Sequence, residues 1–406
     1  MQEVKFLYQD YKLITNKKGV TVKNESLFSD IKDYFLQYTL YFEGKETYRK
    51  TVELSIEPNK EKYVEFNLPD SILSEFGEYS IITSLHLKED KLWAKKGYEI
   101  AFGQTIFRVG EKQINRTITG NPLKIVEGDV NIGIHGKDFT VLFSKQMGSL
   151  VSLQYEGREM IASPPQPSFW RATTDNDRGF SQEYTSGLWF AASLGRKCIE
   201  VDFEQHEDSA KVSFTYQFSI SQTLRVRIEY LVHKNGSLTV KSIYSGAEGL
   251  PQLPIFALVF KVPTEYEYLK WYANGPQENY SDRSMGAKLG LFSNRVTDNL
   301  SNYLVPQESG NRTGVRKLCV TNSNGKGIEI ESTILPLECN VSPYTAFELE
   351  NAKHHFELPN IHYSVITIAG KQMGVGGDDS WGAPVNQEFL IDSSKEIIFE
   401  FTLSKC

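Results

Sequence analysis

At 406 residues the chain is too long for one ordinary domain, and two or three are expected. Its 40% hydrophobic and 23% charged composition is that of a globular protein and excludes a disordered one. A formal charge of −7 and a pI near 5.7 argue against nucleic acid or an anionic membrane as partner, and the lack of any apolar run of about 18 residues excludes a membrane-spanning helix.

The chain opens without the apolar stretch of a secretory leader. Its four cysteines, Cys198, Cys319, Cys339 and Cys406, are far apart and match no metal-ligand spacing. Reduced thiols, a cytoplasmic location and no metal ligands in this chain are therefore expected. Period-two alternation then dominates. Tyr38–Lys45 and Thr51–Ile56 read as a hairpin, and Lys62–Leu68 and Tyr79–Leu87 follow at the spacing of a sandwich. About seven short strands in residues 1–110 predict an immunoglobulin-like or fibronectin-like β-sandwich. The polar, unpatterned stretch Gly110–Thr117 marks a boundary.

From 118 to 406 the alternation resumes. Lys211–Ile220, Leu224–Val232 and Leu238–Tyr244 read as three successive strands, with Asn235-Gly236 as a turn. Only Gln182–Leu194 reads as a helix. The region predicts one large β-sandwich with long loops, so the fold class is all-β. A (β/α)₈ barrel needs roughly 250 residues of alternating strand and helix, which this chain does not contain. The 24 Phe, 21 Tyr and 5 Trp suit pleated surfaces and sugar-binding faces alike.

Four polar clusters interrupt the strands: Phe169–Phe180, Trp271–Arg283, Tyr303–Arg316 and Met373–Trp381. Each sets carboxylates, amides or arginines beside aromatics, the composition of a carbohydrate groove. The same residues also suit a buried network of Arg–carboxylate pairs that fastens long loops together. A retaining glycosidase needs two carboxyls facing each other about 5–5.5 Å apart. Asp378 and Asp379 are chain neighbours whose side chains diverge. Asp175 and Asp177 share a side in an extended segment, but such Asp/Asn runs usually cap loops. An aldose epimerase needs a histidine acid beside a carboxylate base, and none of the seven histidines falls in a cluster. Gly374-Val-Gly-Gly377 lacks the spacing of a dinucleotide loop.

The four clusters, in this order, resemble the C-terminal portion of bacterial β-galactosidases of glycoside hydrolase family 2. The resemblance rests on Arg171-Ala-x-x-Asp-Asn-Asp-x-Gly179, Gly275-Pro-Gln-Glu-Asn-Tyr-x-Asp-Arg283, Tyr303-x-x-Pro306 and Met373-Gly-Val-Gly-Gly-Asp-Asp-Ser-Trp381. It implies an immunoglobulin-like domain followed by a galactose-mutarotase-like β-sandwich. It also implies that the catalytic glutamates and the Mg²⁺ and Na⁺ sites lie in a barrel outside this chain, so no catalytic residue and no cofactor is expected here. The implied partners are a β-galactoside, the barrel portion or large subunit, and further copies of the chain.

By the same resemblance Trp381 stacks on the aglycone side of the substrate, and Gly179, Ser181 and Gln182 form a mobile loop in which Gln182 replaces the family's usual acid. Supporting roles fall to Arg171, Asp175, Asn176, Asp177, Glu278, Asn279, Arg283, Asp378 and Asp379. The alternative for Trp381 is burial in the sandwich core, and for Gly179 an ordinary turn glycine. A stand-alone galactoside-binding module and an aldose-epimerase-like sandwich are the competing readings of the whole chain.

Overall fold

The structure is a computed structural model that describes residues 1–110, 120–379 and 381–406. It divides into two compact units, Met1–Arg116 with Met285–Leu291, and Thr117–Ser284 with Phe292–Cys406. The predicted boundary, beyond Gly110, lies outside the described residues. The inclusion of Met285–Leu291 in the first unit was not expected. Glu3 accepts the N–H groups of Met285 and Gly286 at 3.1 and 2.7 Å, Lys288 pairs with Glu99 at 2.6 Å, and the Leu289 N–H donates to Gln104 at 3.0 Å. These are long-range polar contacts that alternation does not reveal.

Among the described residues the first unit holds seven complete strands in two antiparallel sheets. One runs in the order Lys45–Glu53, Tyr34–Phe42, Gly77–Leu87, Glu99–Val109, and the other Tyr11–Thr15, Gly19–Asn24, Glu61–Glu65. The hairpin turns at Glu43-Gly44, both at positive φ as a two-residue turn requires. Its return strand starts six residues before the expected Thr51, because Lys45, Glu46, Arg49 and Lys50 lie on an edge strand where charge blocks further pairing. Leu13, Val20 and Val22 share one apolar core with Leu36, Tyr38, Leu40, Ile81 and Leu85, so the two sheets face each other as a sandwich.

The second unit has three antiparallel sheets around one core. The largest has nine strands: Lys197–Gln205, Ser209–Phe218, Ser221–His233, Leu238–Tyr244, Ile397–Lys405, Gly327–Ser332, Lys317–Thr321, Tyr268–Gly275 and Lys288–Arg295, the last beginning within the segment counted with the first unit. Along Ser221–His233 every second residue from Leu224 to Val232 is buried, as the sequence pattern predicts. A five-stranded sheet runs Ser163–Ser168, Ile255–Pro263, Tyr363–Gln372, Leu337–Ser342, Arg312–Val315. The remaining one joins the strands between Lys124 and Glu159. The chain is all-β, and no helix among the described residues is long and apolar enough to cross a membrane.

The helical predictions need correction. Gln182–Leu194 is two short helices, Gln182–Thr185 and Leu188–Leu194, broken at Ser186-Gly187 where helix propensity is poor. Asp175–Gly179, where Asp175 and Asp177 read as sharing a side of an extended segment or capping a loop, is also helical. Thr174 accepts the Asp177 N–H while Asp177 accepts the Thr174 N–H, a capping box that nucleates the turn.

In the first unit a β-carbon at Gly103 would lie 2.0 Å from the Leu13 carbonyl oxygen. Gly103→Ala is therefore expected to destabilise the chain by about 1–3 kcal/mol, read as a lower urea-unfolding midpoint. An unchanged midpoint would show that the two strands can separate freely.

Candidate functional site

The four clusters meet in the second unit. Arg171 is 1% exposed and Asp177 fully buried. One Arg171 nitrogen reaches both Asp177 oxygens, at 2.9 and 3.1 Å, and the Gly374 carbonyl at 2.7 Å; the other reaches the Met373 carbonyl. Burial works to discharge this guanidinium, but the adjacent Asp177 more than offsets it and holds the proton more firmly than usual. The first and fourth clusters are thus bound together. Asn176 adds a bond to the Val375 carbonyl at 3.0 Å. Asp282, from the second cluster, accepts the Val375 and Gly376 N–H groups at 2.7 and 2.8 Å.

The third cluster joins through Gln307, which exchanges two 3.0 Å bonds with Asp175, and through Arg178, which donates to the Pro306 carbonyl at 3.2 Å. Glu278 accepts from Tyr303 at 2.6 Å, from the Gly310 N–H at 2.7 Å and from Arg283 at 2.9 Å. Burial raises its pKa, but these three donors outweigh burial and hold it below the usual glutamate value. Asn279, fully buried, donates to the Asn274 and Gln277 carbonyls and accepts from Thr313 at 2.9 and 2.6 Å.

A cavity of about 180 Å³ opens where these loops converge. Its walls are Thr174, Asp175 and Asn176 of the first cluster, Tyr280 and Arg283 of the second, Tyr303, Gln307 and Glu308 of the third, and Val375 of the fourth. No histidine is among them, which leaves an epimerase without its acid at this place. A larger cavity, about 360 Å³, is walled mainly by the five-stranded sheet and takes only Trp170, Arg171 and Glu308 from the clusters. We place the candidate site at the smaller one, where all four clusters contribute.

The expected residues separate into two groups. Arg171, Asp175, Asn176, Asp177, Glu278, Asn279 and Arg283 are knitted into this network. Trp381, Asp378 and Asp379 lie outside the cavity wall. Asp379 accepts the N–H groups of Trp381 and Ala383 at 2.8 and 3.2 Å and so shapes the loop. The Trp381 side chain is not in the core: the residue is 89% exposed. Gly382, at φ 114°, packs on Gly179, where a β-carbon at 382 would lie 2.7 Å from the Gly179 carbonyl oxygen. Ser181 takes the left-handed conformation at φ 62°, and Gln182 is 1% exposed with neither amide atom bonded among the described residues.

Sequence reasoning passed over Asp282, Gln307 and Glu308, although all three stand inside the clusters it quoted. Glu308 faces the cavity and accepts from Asn340 at 3.0 Å and Tyr280 at 3.4 Å; burial lifts its pKa from 4.5 to about 7. Glu338, in a strand with no motif around it, is likewise lifted to about 7 by burial.

Arg171→Ala strands a buried Asp177 charge and is expected to cost about 3–5 kcal/mol, with Arg171→Lys recovering only part because it lacks the planar fork. Urea denaturation measures it, and a loss under about 1 kcal/mol would mean that the pair is not desolvated. Glu308 has a folded pKa above its unfolded value, so it favours the fold below about 4.5 and loses that advantage as pH rises through about 7. Glu308→Gln is therefore expected to raise the melting temperature relative to the parent near pH 8 and to change it little near pH 5. Equal shifts at both pH values would refute the assignment.

Comparison with known proteins accords with these motifs. The family described as "Beta galactosidase small chain" matches residues 135–403, and "Beta-galactosidase, domain 4" matches residues 20–108. A β-galactosidase of Halalkalibacterium halodurans is 56% identical over 408 residues, covering 100% of this chain and 40% of its own length. A β-galactosidase of Streptococcus thermophilus is 34% identical, covering 99% of this chain and 39% of its own. A β-galactosidase small subunit of Latilactobacillus sakei is 35% identical, covering 70% of this chain and 99% of its own. The chain thus spans about 40% of the length of the first two relatives. A solved galactose mutarotase-like protein from Lactobacillus casei covers 70% of this chain and 100% of its own at 11% identity and a TM-score of 0.38, too slight a likeness to build on. With the small-chain description matching 135–403 and the whole of a small subunit aligned to it, the chain belongs to the β-galactosidase family and carries its domain 4 and small-chain regions.

Proposed function

We propose that this chain is the C-terminal, non-barrel portion of a retaining β-galactosidase of glycoside hydrolase family 2, acting on terminal β-galactosides such as lactose. The observation that carries the reading is the convergence of four ordered motifs on one cavity in a region that aligns with a complete small subunit. The proposed partner is a larger polypeptide, or an upstream part of the same one, bearing the (β/α)₈ barrel with its two catalytic glutamates and its Mg²⁺ and Na⁺ sites. Assembly into a homo-oligomer and a cytoplasmic location belong to the same proposal.

In this reading the network supports and the Trp381 loop touches substrate. The exposure of Trp381 supports the role, since an indole left in water gains most when a sugar face covers it. Covering roughly 100 Å² of apolar surface contributes about 2 kcal/mol gross. Gly179, Ser181 and Gln182 border this loop through the Gly179–Gly382 contact and form the proposed mobile segment.

Hydrolysis of a chromogenic β-galactoside is expected from a mixture of this chain with a barrel-bearing chain and not from this chain alone. Activity of the isolated chain would overturn the division of labour. In the active assembly Trp381→Ala is expected to weaken aglycone-side binding by about 1–2 kcal/mol, roughly tenfold. An unchanged affinity would remove Trp381 from the substrate site.

A further inference from the structure

The outer face of the nine-stranded sheet carries a cluster of sulfur and oxygen donors. Along Lys317–Thr321, Leu318 and Val320 are buried in the core, so Lys317, Cys319 and Thr321 lie on the opposite face. Cys319 stands directly across from Glu329 in the antiparallel register, and Glu329 stands across from Ser404 in the next strand. Two residues further on, the Cys406 N–H donates to the Gly327 carbonyl at 3.0 Å and continues that pairing by one residue beyond Lys405. The consequence is that the sulfurs of Cys319 and Cys406 and a carboxylate oxygen of Glu329 lie within 4.8 Å of one another. Chain spacing gave no hint of this cluster, because its members come from three different strands or their ends.

The donors suit a soft divalent ion. A tetrahedral zinc with bonds of about 2.3 Å to sulfur sets its two sulfurs about 3.8 Å apart, inside the observed limit. Thiolate ligands select zinc over magnesium or calcium. Lys317 holds one Glu329 oxygen at 3.0 Å while the Cys319 thiol donates to the other at 3.5 Å, so the carboxylate is already turned toward the sulfurs. Two thiolates and a carboxylate carry three negative charges, which a divalent ion and Lys317 together neutralise. All three ligands are half-buried, so solvent can deliver the ion.

We propose that Cys319, Cys406 and Glu329 form a binding site for a thiophilic divalent cation, zinc in the first instance, with water in the fourth position. Binding releases the two thiol protons to solvent and clips three strands of the sheet together. Because the ion binds only the folded chain, it stabilises by mass action.

The test is titration of the reduced chain with Co²⁺, a spectroscopic stand-in for zinc. A sulfur-to-cobalt charge-transfer absorption is expected that saturates at one ion per chain and is bleached by Zn²⁺, with a Zn²⁺-dependent rise in melting temperature that a chelator reverses. Cys319→Ser is expected to abolish the absorption, Glu329→Gln to weaken Co²⁺ binding, and Cys198→Ser, at a distant strand, to change neither. Absence of the absorption in the reduced parent, or its survival in Cys319→Ser, would overturn the proposal. So would thiol titration showing that Cys319 and Cys406 oxidise to a disulfide while the reduced chain takes up no Co²⁺.

Discussion

A guanidinium withdrawn from water must find partners for its donors, and Arg171 imposes that demand on everything around it. At 1% exposure it is held by both oxygens of Asp177 and by the carbonyls of Met373 and Gly374. The pair itself is a weak source of net stability, since desolvating two charges costs about as much as their attraction returns. What it supplies is register. The two terminal nitrogens of Arg171 keep their partners, though its Nε has none among the described residues, only if the glycine-rich loop that begins at Met373 stays in place, and Asn176 and Asp282 hold Val375 and Gly376 there. Asp177 also closes the capping box of its own helix, so one carboxylate sets the first cluster and, through Arg171, the fourth.

From this anchor the loop runs outward to Trp381. Its near end is fixed by the buried network and its far end by two local devices, the Asp379 turn and the contact of Gly382 on Gly179. The tryptophan is thereby presented in water on a backbone constrained on both sides. The same contact couples the Gly179–Gln182 segment to the Trp381 loop mechanically, because neither glycine can move toward the other without displacing backbone.

Much of the architecture was legible from period-two alternation, because burial of one face of a strand is written residue by residue, as along Leu224–Val232. Where charge rather than burial governs, as along Lys45–Lys50 on an edge strand, the same rule gives too short a strand. The Asp175–Gly179 helix was hidden because its turn is made by a cap and not by an apolar stripe. The motifs located the site, but not the division within it. That Asp177 is tied to Arg171 while Asp175 and Glu308 stand on the cavity wall depends on which donors each carboxylate meets, and those of Asp175 and Glu308, Gln307 and Asn340, lie 132 and 32 residues away. Glu338, likewise lifted in pKa, sits in an ordinary strand and carries no signal at all.

The carboxylates in and behind the cavity wall differ in what holds them. Glu278 accepts from three donors and is held below its usual pKa, so it is a poor proton carrier near neutrality. Asp175 and Asp177 are spent on Gln307 and Arg171. Burial lifts Glu308 to a pKa of about 7, a value that suits a general acid. A retaining glycosidase, however, needs a second, ionised carboxylate free to attack from about 5 Å away, and the acids around Glu308 already hold cations or N–H groups. Among the described residues of the cavity wall the other carboxylate, Asp175, is engaged by Gln307.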